Sequence, residues 1–481
     1  MPFMKSEGKR IHFFSIFIDF LNTLRSLILP LGIGFFLGFR HFFDDYGFLL
    51  LIPLFILISD FVGWLRTRYE ITDEHFHLRS GVFVRKDRYI KVSRIQTIQV
   101  STNILMRPFG LVKVKFDTAD ADKSDVVLSV VKDEEARRIK QLLGHGDEQL
   151  EDLENASAPD SLIRPAGKKS PNRVFKLSGK DLLIAALTSS NIGVIIGTAG
   201  AFLSQADDII PDHFFNSSVG YLAHLTFIFI ILLIVLAALI LWLASLAVTF
   251  IRWGGFTLSV TDETWRIQKG LIQITDETYK LDRVQAIRIK EHWLQQLFGL
   301  CTVFAEAIGS VSEDKESGGS ILVFPIVRKK ALPSFLEAAI PRFAGTIETK
   351  RIPMRGVIYA LLKPTLLLSA ICTGLTWFFS WGKFTWIGVP VIILYFFFSF
   401  RTSGFSLKGH RIVFTDRMLA KTTVITLKKH IQTFTKEASR VQRRLGLGCS
   451  RFSIRSSSPQ TYENNQMDQK DAEKLFQWFR N

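Results

Sequence analysis

Residues 221 to 251, YLAHLTFIFIILLIVLAALILWLASLAVTFI, form a run of 31 residues without a single Lys, Arg, Asp or Glu. A helix that crosses a bilayer needs about 20 such residues, and backbone in hydrocarbon is satisfied only inside helices or closed barrels. This segment therefore reads as membrane helix. Leu182 to Ala206 adds 25 uncharged residues, and Pro364 to Trp381 is separated from Phe384 to Phe400 by Gly382-Lys383 alone, the pattern of a tight helical hairpin. Tyr46 to Trp64 is interrupted by Asp60, and Ser26 to Phe39 reaches spanning length only when extended back through Arg25 and Asp19. Six spans are expected. A buried core helix is the alternative for the first of them, and the N-terminal apolar stretch lacks the small-residue cleavage site of a signal peptide.

Lys and Arg fall unevenly about these spans. Lys5, Lys9 and Arg10 precede the first, Arg66 and Arg68 follow the second, and Lys350, Arg351 and Arg355 precede the fifth. The short connections carry Arg40, no basic residue, and Lys383 in turn. The positive-inside rule then places both termini and the long polar segments in the cytoplasm. The formal charge of +16 sits on that side, where anionic headgroups attract it. No nucleic-acid partner is expected, because no basic helix or aromatic-basic motif of a known reader appears.

Cys301, Cys372 and Cys449 have no paired spacing, and the ten His residues do not cluster. No metal or other cofactor is expected. Nucleophile and base pairs, paired carboxylates and glycine-rich phosphate loops are missing, and GLGCS at 446 to 450 lacks the serine-centred elbow. The chain reads as a non-enzyme.

The three polar segments are copies of one another. Gln96, Gln285 and Gln432 are each followed 14 residues later by Gly-Leu, at Gly110, Gly299 and Gly446. Phe109, Phe298 and Leu445 precede the glycines, and Arg94, Arg283 and His430 stand two residues before the glutamines. Gly81 and Gly270 both lie 15 residues before their glutamines, where the third repeat has Arg417 and must turn differently. The period within each repeat is that of strands, as in LVKVKF at 111 to 116. Helical spacing returns only at the end, in KDEEARRIKQLL, RKKALPSFLEAAI and DQKDAEKLFQWF. Each repeat is thus a run of strands closed by one helix.

On these motifs, RIQTI with RPFGL, RVQAI with QLFGL and HIQTF with RRLGL, the chain resembles the bacterial pleckstrin-homology-like membrane proteins of the YdbS/YdbT type. The resemblance covers nearly the whole chain, as three units of two membrane helices plus one domain. It implies a small seven-stranded bent antiparallel barrel, closed by a C-terminal helix, for each α+β domain. It also implies a smaller PH-like membrane protein as partner and a part in resistance to membrane-active peptides.

The expected organisation is a transmembrane hairpin at 13–64, a PH-like domain at 65–143, a disordered linker at 144–172, a hairpin at 173–253, a domain at 254–343, a hairpin at 352–400 and a domain at 401–481. Ile95, Val284 and Ile431 are expected in the core. The glutamines read as structural residues that pair backbone groups, with a binding role as the alternative; the glycines serve backbone conformation and Phe109 and Phe298 serve packing. Residues 401 to 481 hold 16 Lys and Arg against 6 Asp and Glu, a net charge of +10. Within them Lys428, Lys429, Lys436, Arg440, Arg443, Arg444, Arg451 and Arg455 offer a surface for anionic lipid or a protein partner. The function expected is a non-catalytic membrane scaffold. The alternative is a transporter or lipid-handling protein, for which only TSSN (188 to 191) and GTAG (197 to 200) in the third span speak.

Overall fold

The computed structural model describes residues 8–21, 23, 51–72, 74–81, 84–118, 126–142, 173–188, 220–308, 320–378, 382–417, 420–456 and 460–481. The linker 144–172 and the expected span 26–39 lie outside them. The first repeat comprises β1 (Lys9–Arg10), α1 (Leu51–Arg66), β2 (Arg68–Ile71), β3 (His75–Ser80), β4 (Lys86–Lys91), β5 (Ile95–Thr102), β6 (Leu111–Thr118), β7 (Val126–Lys132) and α2 (Asp133–Leu142). The second comprises β8 (Arg173–Lys176), α3 (Gly179–Thr188), α4 (Gly220–Trp253), β9 (Thr257–Val260), β10 (Thr264–Lys269), β11 (Ile274–Lys280), β12 (Val284–Glu291), α5 (Trp293–Leu297), β13 (Leu300–Ala307), β14 (Ile321–Arg328) and α6 (Leu332–Ala339). The third comprises β15 (Lys350–Arg351), α7 (Met354–Phe378), α8 (Gly388–Arg401), β16 (Gly404–Lys408), β17 (Arg411–Arg417), β18 (Lys421–Leu427), β19 (Ile431–Glu437), α9 (Arg440–Arg444), β20 (Leu447–Ile454), β21 (Gln460–Asp468) and α10 (Gln469–Arg480).

One strand of each repeat comes before its helical pair. β1 pairs with β2 through Lys9 and Tyr69, β8 with β9 through Phe175 and Leu258, and β15 with β16 through Lys350 and Phe405. The helices are therefore an insertion between the first two strands of a domain, not a neighbour preceding it. The boundaries read from sequence differ here, since strands of two to four residues carry no periodicity.

Among the described residues Met354–Phe378 and Gly382–Arg401 are long and apolar enough to cross a membrane. They correspond to the hairpin expected at 352–400, and the second opens with a 3-10 helix, Gly382–Ile387. α4 covers the 31-residue run, and α1 and α3 cover parts of two further apolar stretches where spans were expected.

Two compact units make up the chain. One holds the first repeat with Thr261–Gln268 and Ile272–Lys280 of the second; the other holds the rest of the second repeat and the third. In the first unit the sheet β7-β6-β5 is continued by β11, with Ile98 opposite Thr278 and Ser101 opposite Thr275. In the second unit β14-β13-β12 is continued by β18-β17-β16-β15, with Ile287 opposite Ile425 and Lys290 opposite Thr422. The sheets are shared between repeats, and the core of the third repeat also takes in Ala286 of the second. Tyr69, Phe76, Ile98, Phe116, Leu128 and Ile139 pack together in the first repeat, and Phe405, Phe414, Phe452, Met467 and Leu475 in the third. In both clusters the closing helix, α2 or α10, supplies the cover through Ala136 and Ile139 or Ala472 and Leu475.

Candidate functional site

The repeated glutamine is the extra residue of a β-bulge. On β5 the pairing passes from Ile95 with Thr118 to Thr97 with Asp117; on β12 from Val284 with Ala307 to Ala286 with Glu306; on β19 from Ile431 with Ile454 to Thr433 with Ser453. Gln96, Gln285 and Gln432 are skipped in the same way. A bulge bends a strand and re-aims the residues beyond it, and here it does so at the same place in every repeat. The residues before the glutamines, Ile95, Val284 and Ile431, are buried. Arg94, Arg283 and His430 each end the short 3-10 turn that enters the bulged strand.

Gln285 also serves the junction with the third repeat. Its side chain donates to the Arg283 carbonyl at 3.1 Å, while its own carbonyl accepts from Thr426 Oγ1 at 2.8 Å and from His430 Nδ1 at 2.9 Å. Burial pulls the His430 imidazole below its ordinary pKa, against the raising effect of that carbonyl. Gln432, by contrast, is exposed.

The Gly-Leu pair closes a short helical turn in every repeat. Gly110, Gly299 and Gly446 adopt φ of 60°, 62° and 65°, left-handed values that cost other residues about 1 to 2 kcal/mol. Each glycine carbonyl then accepts the N–H that opens the closing segment: Asp133 at 2.9 Å, Lys329 at 2.9 Å and Gln469 at 3.0 Å. The leucines next in the chain, Leu111, Leu300 and Leu447, are buried.

Phe109 and Phe298 correct the packing expectation. They are 63 % and 68 % exposed, not buried in a core. They crown an apolar rim with Ile104 and Leu105 in the first repeat and with Trp293 and Leu297 in the second; Val441 and Leu445 form it in the third. The αL glycine directs this turn outward while its leucine anchors inward. Neighbouring contacts place the rims beside the helical insertions: the Phe109 ring lies 5.0 Å from Phe14, Phe298 and Leu300 share a cavity wall with Ile184 and Leu187 of α3, and Arg355 at the start of α7 donates to the Gly446 carbonyl at 3.3 Å.

The eight basic residues of the third repeat do not form one surface. Lys436 pairs with Glu473, and Arg451 with Glu463 at 2.9 Å and Glu437 at 3.7 Å. Lys428 lies over the Trp478 ring at 5.7 Å, Lys429 is exposed on the 3-10 turn, and Arg455 is exposed beyond β20. Arg440, Arg443 and Arg444 remain exposed together on α9, beside Val441 and Leu445. Ser439 caps that helix, its Oγ accepting the Gln442 N–H at 3.2 Å.

A buried polar cluster in the second unit was not foreseen. Glu306, fully buried, accepts from Ser320 Oγ at 2.7 Å and Tyr462 Oη at 3.2 Å and pairs with Arg288 at 3.2 Å. Its signal in the sequence is the lone acid inside the apolar strand LCTVFAEA. The cysteines are buried and free; burial pushes the Cys301 thiol up to about 12 and Cys449 to about 11, which leaves both as thiols at neutral pH. Among the described residues no three His, Cys, Asp or Glu side chains come together as a metal site.

The bacterial PH domain model matches residues 26–146, 219–337 and 347–481. The chain is 30 % identical over 489 aligned positions, 99 % of both chains, to the UPF0699 transmembrane protein YdbT of Bacillus subtilis (strain 168). No solved structure matches.

Proposed function

The chain belongs to the bacterial PH domain family, and on that premise we propose that it is a non-catalytic scaffold of the bacterial plasma membrane. Six spans carry three PH-like domains on the cytoplasmic side. The observation that supports this reading is the apolar rim, built three times from the same turn and set each time against a helical insertion. Exposed aromatic and aliphatic side chains on a turn next to membrane helices belong at the headgroup boundary. In the third repeat Arg440, Arg443 and Arg444 flank the rim, each worth about 1 kcal/mol near an anionic surface. Anionic headgroups are accordingly one partner. The family resemblance supplies the second, a smaller PH-like membrane protein, together with a contribution to resistance against membrane-active peptides.

Two measurements test the reading. A fluorophore on Leu297→Cys in lipid nanodiscs is expected to be quenched by doxyl-labelled lipid; an unquenched label removes the rim from the membrane. Purification from the native membrane is expected to bring a smaller PH-like protein with the chain, and cells lacking the chain are expected to be more sensitive to a cationic membrane-active peptide. A chain that comes out alone, from cells whose sensitivity does not depend on it, overturns the scaffold.

A further inference from the structure

The two shared sheets leave one strand of each kind over. β11 and β18 run just ahead of their repeats' glutamines and pair with the bulged strand of the repeat before, β5 or β12. β4 holds the same place ahead of Gln96, and β19 is the bulged strand of the third repeat. Both are outermost strands of their sheets among the described residues. Their surfaces differ from those of their counterparts accordingly. β11 and β18 are buried through their middles, whereas Tyr89 of β4 is 68 % exposed and β19 is exposed everywhere but at Ile431 and Phe434.

The register is the same at both internal junctions. The second residue after the glutamine faces the residue seven before the next glutamine: Ile98 faces Thr278, and Ile287 faces Ile425. Continued once more, this register sets Phe434 opposite Tyr89, Lys436 opposite Asp87 and Glu437 opposite Lys86. Both charged pairs are opposite in sign and the third pair is aromatic, the combinations that stabilise neighbouring strands. An internal precedent is Glu291 of β12, which faces Lys421 of β18 with 3.4 Å between the charged atoms.

We infer that the free edge of β19 receives the free edge of β4 from a second molecule of this chain, antiparallel and in that register. Main-chain hydrogen bonds would supply the adhesion and the opposed side chains the choice of partner. Each molecule carries one edge of each kind, so association is head to tail and yields a closed ring or an open row. This deepens the scaffold reading, on which it rests for its purpose, by naming the chain as its own partner.

Oxidative cross-linking in native membranes tests it, since Thr435 and Arg88 face each other in the proposed register. Differently tagged Thr435→Cys and Arg88→Cys chains, co-expressed, are expected to form a disulfide-linked pair that neither variant forms alone. The three native cysteines are buried. Equal cross-linking of Thr435→Cys with Lys91→Cys overturns the register, and a purely internal disulfide in a chain carrying both Thr435→Cys and Arg88→Cys overturns the second molecule. In detergent, the particle is expected to contain two or more chains, to fall to one with Glu437→Lys, and to recover when Lys86→Glu is added. A single-chain particle that still retains a smaller PH-like protein overturns self-pairing and leaves the scaffold standing.

Discussion

The carbonyl of Gly446 accepts the backbone N–H of Gln469 at 3.0 Å, tying the rim of the third domain to the first residue of the helix that closes it. The same bond in the other repeats joins Gly110 to Asp133 and Gly299 to Lys329. At Gly110 and Gly299 a Cβ would meet nothing within 4 Å, so substitution there isolates the cost of the left-handed backbone. Gly299→Ala is expected to lower stability by about 1 kcal/mol, read as a fall in the unfolding midpoint of the full chain in detergent. An unchanged midpoint would show that the turn has another route to the helix.

Gly356 on α7 meets the opposite situation. A Cβ there would stand 2.4 Å from the carbonyl oxygen of Gln466 in β21, and Gln466 itself has φ of 63°. Gly356→Val is expected to cost about 1 to 3 kcal/mol by overpacking, loosening the third domain from its helices. Protease sensitivity between 402 and 481 should rise in the variant and stay unchanged in Gly374→Ala, whose added Cβ has open space.

Removing the buried acid should be more damaging than removing one of its donors. Glu306→Ala leaves the half-buried Arg288 without its carboxylate, a change that costs about 3 to 5 kcal/mol in fully buried pairs. Tyr462→Phe removes one hydrogen bond, for about 1 kcal/mol. Equal effects of the two in denaturant titrations would mean that Arg288 finds another anion.

Acid should weaken the second domain through His292. Burial first, and then Lys290, push its pKa from 6.5 down to about 4. Below pH 6.5 the unfolded chain binds a proton that the folded chain refuses until about pH 4. Stability is therefore full above pH 6.5, declines between 6.5 and 4, and levels off below, a loss on the order of 3 kcal/mol. His292→Asn keeps a residue suited to precede α5 and removes the titration; thermal unfolding across that range should flatten in this variant.

Much of this architecture was legible in the sequence because it is periodic. The closing helices announce themselves at Ala136 and Ile139 or Ala472 and Leu475, and the Gly-Leu pairs by their fixed distance from the glutamines. The glutamines were located but their purpose was not: a bulge is a relation between two strands, and only Thr118 and Asp117 on the partner reveal that Gln96 is skipped. Phe109 packs on Phe14 yet is 63 % exposed, a division the sequence hides because an apolar residue in a turn looks alike whether it faces a core or the surface. β1 and β15 were invisible at two residues each. The sharing of sheets between repeats escaped because an alignment of copies shows what each has in common, not which one lends a strand to the next.

That lending fixes a timetable for biosynthesis. β5 leaves the ribosome with one neighbour, β6, following directly, whereas its other companion β11 emerges only after residues 119 to 273 have been made. At about 5 to 20 residues per second the wait is roughly ten to thirty seconds, during which a strand edge stays unsatisfied. β12 then waits in the same way for β18. A ribosome that stalls within the second helical pair would leave such an edge open to any neighbouring nascent chain, so translation speed through residues 144 to 274 governs whether the protein reaches its own partner strand first.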